Sequence, residues 1–79
     1  MFNLFPSSKK FFKIDSETNE EIELIAVSEQ NNVLFASITP LVNYKDSIKI
    51  VHLDGYVEVR KVRQAVPKSF FGRQEIILV

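Results

Sequence analysis

Asp54-Gly55 lies between Ser47-Ile48-Lys49-Ile50-Val51-His52-Leu53 and Tyr56-Val57-Glu58-Val59, two stretches in which β-branched residues recur at alternate positions. This is the strongest short-range hairpin signal a sequence carries, because a two-residue type I′ turn needs positive φ at both central positions and Asp-Gly tolerates it. The expectation is an antiparallel hairpin with that turn at its tip. Once such a hairpin forms, its apolar face must be covered by more of the same chain, and the rest of the sequence has to supply strands.

It does. Val, Ile, Phe and Tyr recur in short runs separated by Asn, Asp, Pro and Gly, which is strand composition with turn punctuation. In Glu21-Ile22-Glu23-Leu24-Ile25-Ala26-Val27 the apolar Ile22, Leu24 and Ala26 share one face, and Ile25 and Val27 make the end of the run apolar on both sides. Val33-Leu34-Phe35-Ala36-Ser37-Ile38 reads as a short central strand ended by Thr39-Pro40, since proline cannot donate to a ladder. Asn43-Tyr44-Lys45-Asp46 is a turn into the hairpin.

The returning strand, Tyr56 to Val66, carries a phase change. Val57 and Val59 share a face, the same alternation continued would turn Lys61 inward, and a bulge near Arg60-Lys61 would restore Val62 and Val66 to the inner side. Pro67-Lys68-Ser69 is expected to break this strand before a final one from Phe70 to Val79. Residues 1–13 read as a first strand or a short helical cap, two alternatives the sequence leaves open.

The expected fold is therefore all-β: a small antiparallel barrel of five or six strands, closed or half-closed, with residues 20–79 as its body and the whole chain as one domain. A chain of 79 residues buries only about 60 to 65% of its unfolded surface, so an open sheet with an uncovered apolar face is disfavoured. A generic SH3-like or split barrel has the same strand rhythm.

Charge and composition narrow the function classes. There is no cysteine, hence no disulfide and no thiolate metal site, and the N-terminal Met1 to Pro6 lacks the charged and apolar regions of a signal peptide. No run approaches the ~20 apolar residues of a membrane span. A cytoplasmic protein is the expectation. Ten basic and ten acidic residues cancel, but Arg60, Lys61, Arg63, Lys68 and Arg73 follow one another without an intervening acid. If they converge, they form a patch suited to a small anion or an acidic partner; runs of this kind are more often solvated faces.

Catalysis finds little support. His52 is the one histidine and has no sequence neighbour that would make it a base or a ligand; the glycines are only Gly55 and Gly72, so a glycine-rich phosphate loop is ruled out. No enzyme, no metal and no cofactor are expected. Single-stranded nucleic acid binding by Arg60, Lys61, Arg63 and exposed aromatics is an alternative from another class, opposed by the neutral charge and by the core's need for the phenylalanines.

From Leu24 onward the order of pieces resembles the PilZ domain: a strand ending in a Ser-containing corner, a short apolar strand, a Pro corner, a turn, a tight hairpin, a long bent strand and a final strand. That family forms a six-stranded barrel, and many members bind cyclic di-GMP through an R-x-x-x-R pair and a [D/N]-x-S-x-x-G corner. In this chain the corner falls on Ala26-Val27-Ser28-Glu29-Gln30-Asn31, where Ser28 matches, Ala26 replaces the acidic or amide residue and Asn31 stands for glycine. Asn tolerates positive φ, so the turn itself can persist. The arginine pair falls on Lys9 and Lys13, which keep the charge and lose the planar fork.

The resemblance implies a regulatory or protein-interaction module of a bacterial cytoplasm, non-catalytic, with cyclic di-GMP binding weak or lost. Its expected contact surface is Phe70, Phe71 and the final strand, including Ile77 and Val79, with a protein as partner and an edge-to-edge homodimer as a further option. The alternative is an anionic nucleotide receptor using Lys9, Lys13, Ser28 and Asn31, helped by Arg60 or Arg63. No membrane contact is expected.

Overall fold

The computed structural model describes residues 9–68 and 72–79. Among these, seven strands form: β1 (Lys10–Ile14), β2 (Glu21–Glu23), β3 (Ser28–Gln30), β4 (Val33–Ser37), β5 (Ser47–Val51), β6 (Val57–Lys68) and β7 (Arg73–Leu78). They make one antiparallel sheet in the order β2-β1-β5-β6-β7-β4-β3. β6 serves both halves: its residues 57–61 pair with β5, and its residues from Val62 to Lys68 pair with β7.

The all-β, antiparallel expectation agrees with this sheet. The count of five or six strands does not, for two reasons. Residues 10–14 are a strand, which settles the N-terminal alternative for that part of the segment. Of the run 21–27 only Glu21–Glu23 is strand; the chain bends between Leu24 and Val27, where Ala26 takes a φ of 57°, and the seventh strand, β3, forms at 28–30, inside the stretch expected to be a corner. Tertiary bonds hold this bend: Leu24 N–H donates to Phe11 C=O (2.8 Å), Ile25 C=O accepts Ser37 N–H (2.9 Å), and the Arg73 guanidinium donates to Ala26 C=O (2.9 Å). The ladder order ends at β2 on one side and β3 on the other, and this bent segment links the two ends.

The hairpin between β5 and β6 is present, with a different turn. Val51 pairs with Val57, leaving five residues, an odd number that a two-residue turn cannot close. Gly55 N–H donates to His52 C=O (2.9 Å) and His52 N–H to Tyr56 C=O (2.8 Å). Of the two expected positive-φ residues only Gly55 adopts one, at 91°. This is a three-residue loop with a left-handed glycine making the bulge. The Asp54 carboxylate accepts Tyr56 N–H (3.0 Å) and steadies it.

The bulge in β6 lies at Arg63, between Val62 and Gln64, not near Arg60-Lys61. In the first half of the strand the inward residues are Glu58 and Arg60, level with buried Ile50 and Ile48, and they lead to buried Val62 with no phase change. Val57 and Val59 therefore face outward, together with Lys61. The slip at Arg63 turns Gln64 out and brings Ala65 against the core, level with buried Ile76; Val66 falls outside. Pro67 does not end the strand. It pairs with Gln74 in a stretch of β6 that has a ladder partner on one side only, where a missing N–H is tolerated.

The core lies between the two halves. Phe11, Ile48 and Ile50 come from the first, Leu34, Ala36, Val62, Ile76 and Leu78 from the second, and Leu24 and Val42 from connections. Two buried polar groups fix the connections. Gln74 accepts Val42 N–H (2.8 Å) and donates to Ser37 C=O (2.8 Å) and Pro40 C=O (2.7 Å), so its amide staples the corner after β4. Asp46 accepts Ser16 N–H (3.0 Å) and Asn43 N–H (2.9 Å), tying the β1–β2 turn to the entry of β5. In that turn the Asp15 carboxylate accepts Glu17 N–H and Thr18 N–H, which hold its pKa below the usual carboxylate range.

Candidate interaction surface

Of the cations expected to hold a ligand, Lys9, Lys13 and Arg60 have partners within the fold, and Arg63 is exposed. Lys13 is buried: its ammonium lies 3.3 Å from Asp46 and 3.8 Å from Asp15 and donates to Leu41 C=O at 2.9 Å. It alternates inward because it follows buried Phe11 on the same face of β1, and a lysine there is tolerable only with a buried counter-charge. Lys9 reaches Glu29 on β3, 2.8 Å away. The two lysines share a spacing without sharing a site.

Arg60 faces inward at the rim, where it donates to Val79 C=O through Nε (3.0 Å) and one terminal nitrogen (2.9 Å) and to the Asn32 side chain (2.8 Å). It thus meets the turn that contains Asn31, whose φ of 58° is the positive value expected there. Ser28, however, pairs with Phe35 on the face of β3 opposite Glu29, away from the Lys9 contact. Arg63 is the exposed bulge residue, and Arg73 donates to Ala26 and Phe35 carbonyls. The basic run of Arg60, Lys61, Arg63 and Arg73 is therefore distributed over both faces and does not converge.

The expected contact strand is also displaced. β7 lies between β6 and β4, so it has no free edge to offer another chain; the ends of the sheet are β2 and β3. Its Ile77 is half-buried beside Val33, while Val79 is 72% exposed. Phe70 and Phe71 lie outside the described residues.

What the structure exposes instead is the other hairpin. At the tip of β5–β6, Leu53 is 81% and Tyr56 61% exposed, and Val59 is 58% exposed on the strand behind them, with Val57 between. His52 borders the tip: its Nε2 is 3.1 Å from a Glu58 carboxylate oxygen and its ring is 5.2 Å from that of Tyr56. His52, Leu53, Asp54 and Tyr56 line an open depression. A histidine–carboxylate pair beside a tyrosine orients the ring and supplies polar anchors around an apolar centre.

Register organises the outer face of the first half into rows across four strands. Glu23, Phe12, Lys49 and Val59 are level with one another, as are Glu21, Ile14, Ser47 and Lys61. Lys10, Val51 and Val57 form a third row. Lys49 bridges to Glu21 (2.9 Å) and sits 5.8 Å over the Phe12 ring. The acids are confined to the β2 margin.

Sequence reasoning placed Val57 and Val59 inward and passed over Leu53 and Tyr56. A usable signal is present in the sequence: residues flanking a tight turn stand at the end of a sheet, and among the described residues Leu53 and Tyr56 there are exposed. No group of three or more potential metal-ligating side chains converges among the described residues, and no helix there is long and apolar enough to cross a membrane. Comparison with family models, curated proteins and solved structures returns no significant match.

Proposed function

We propose that the chain is a non-catalytic regulatory module that docks a protein partner through the β5–β6 hairpin tip, with cyclic di-GMP binding weak or lost. In this reading the folded sheet acts as a small PilZ-like barrel of a bacterial cytoplasm, its two ladder ends joined through Leu24–Val27. The observation that carries it is the contiguous exposure of Leu53, Tyr56, Val57 and Val59. Large apolar and aromatic side chains clustered on a surface and rimmed by polar groups are the usual composition of a contact centre, and Tyr is among the residues enriched there. Sequestration of Lys13 by Asp46 supports the loss of nucleotide binding.

The test is site-specific photo-crosslinking in the native cell. A photoreactive residue at Leu53 or Tyr56 should capture a discrete second polypeptide, and one at Gln30 on β3 should not. Equal capture at all three positions, or none at the tip, would refute the reading.

A further inference from the structure

We propose that the outer face formed by β2, β1, β5 and β6 is self-complementary and packs against the same face of a second copy. The basis is the row pattern; Val57 and Val59 belong both to this face and to the surface next to the hairpin tip, whereas Leu53 and Tyr56 belong to the tip alone. The two rows that cross all four strands are asymmetric: an acid at the β2 end, lysine or valine at the β6 end. A twofold axis in the interface, parallel to the strands and midway between β1 and β5, keeps each row level and reverses it. β2 then faces β6 of the second copy, and β1 faces β5.

Under that operation Glu21, which bridges to Lys49 of its own chain, meets Lys61 of the other, Glu23 meets Val59 and Phe12 meets Lys49, each across the interface and each twice. Charge falls against opposite charge or against apolar surface, and in no row does like meet like. Stacked sheets cross at about 30°, which shifts the outer strands by about 4 Å relative to one another, within reach of a lysine stem. Strand spacing of about 4.8 Å over four strands and three same-face residues per strand gives a footprint smaller than the roughly 800 Å² per partner of a standard interface. The association is correspondingly weak and is expected only at high protein concentration.

Position 59 gives the decisive test, because it is exposed and tolerates substitution in the monomer. Sedimentation velocity of the purified chain from about 10 µM to about 1 mM should show conversion from monomer to dimer in this range. Val59→Glu, placed opposite Glu23 of the second copy, should abolish the dimer; Val59→Lys should preserve or tighten it. Lys61→Glu should weaken it, and combination with Glu21→Lys should restore it, with circular dichroism confirming the fold of each variant. A wild-type chain monomeric throughout, or Val59→Glu and Val59→Lys acting alike, would overturn the proposal. Because no partner is present in this measurement, neither result bears on crosslinking at Leu53.

Discussion

At the scale of single residues, the outcome turns on Lys13. Its spacing from Lys9 suggests a ligand clamp, yet its alternation with Phe11 sends it into the interior, where Asp46 and Leu41 C=O receive it. Spacing along a strand tells which residues share a face and leaves open what lies under that face. Removing one member of a buried ion pair leaves the other charge without compensation. Lys13→Met should therefore lower unfolding free energy by about 3 kcal/mol, the low end for such pairs because Asp46 keeps two backbone donors. For a chain this size that is a large part of a total of about 4 to 12 kcal/mol. Urea denaturation measures it, and Lys13→Met combined with Asp46→Asn should recover part of the loss. A neutral Lys13→Met would mean that the ammonium is free for a ligand after all.

At the scale of elements, the hairpin was legible because its cause is local: two alternating strands and a glycine near the turn. The turn type was not, since it depends on the register Val51 to Val57, which the whole β5–β6 ladder sets. The two geometries separate by substitution. Gly55, at φ 91°, has open space around the position a Cβ would occupy, so Gly55→Ala should cost about 1 to 2 kcal/mol from backbone conformation alone. Asp54→Ala should cost about 0.5 to 1.5 kcal/mol, for one exposed hydrogen bond to Tyr56 N–H, with no added backbone term. A clearly larger effect at Asp54 than at Gly55 in thermal unfolding would point to the two-residue turn. The bulge was anticipated from the same strand and misplaced by two residues. The valines drew it toward Arg60, while the polar inward residues Glu58 and Arg60 find partners in His52, Val79 and Asn32 and need no slip.

At the scale of the whole molecule, strand composition and turn punctuation fixed the class, and long-range bonds decided the rest. The break at Ala26 has no local signal; its bonds, Ile25 to Ser37 and Ala26 to Arg73, span 12 and 47 positions. The same break separates β2 from β3, the two ends of the sheet. Lys13 and Arg60 are held by partners within the fold and Lys9 by Glu29, which favours the proposed protein-docking role over nucleotide reading. Calorimetric titration of the purified chain with cyclic di-GMP at low salt tests it most directly. No binding heat at ligand concentrations up to about 1 mM is the predicted result, corresponding to less than about 4 kcal/mol of affinity. Micromolar binding that disappears in a Lys9→Ala, Lys13→Ala chain that is still folded would contradict it.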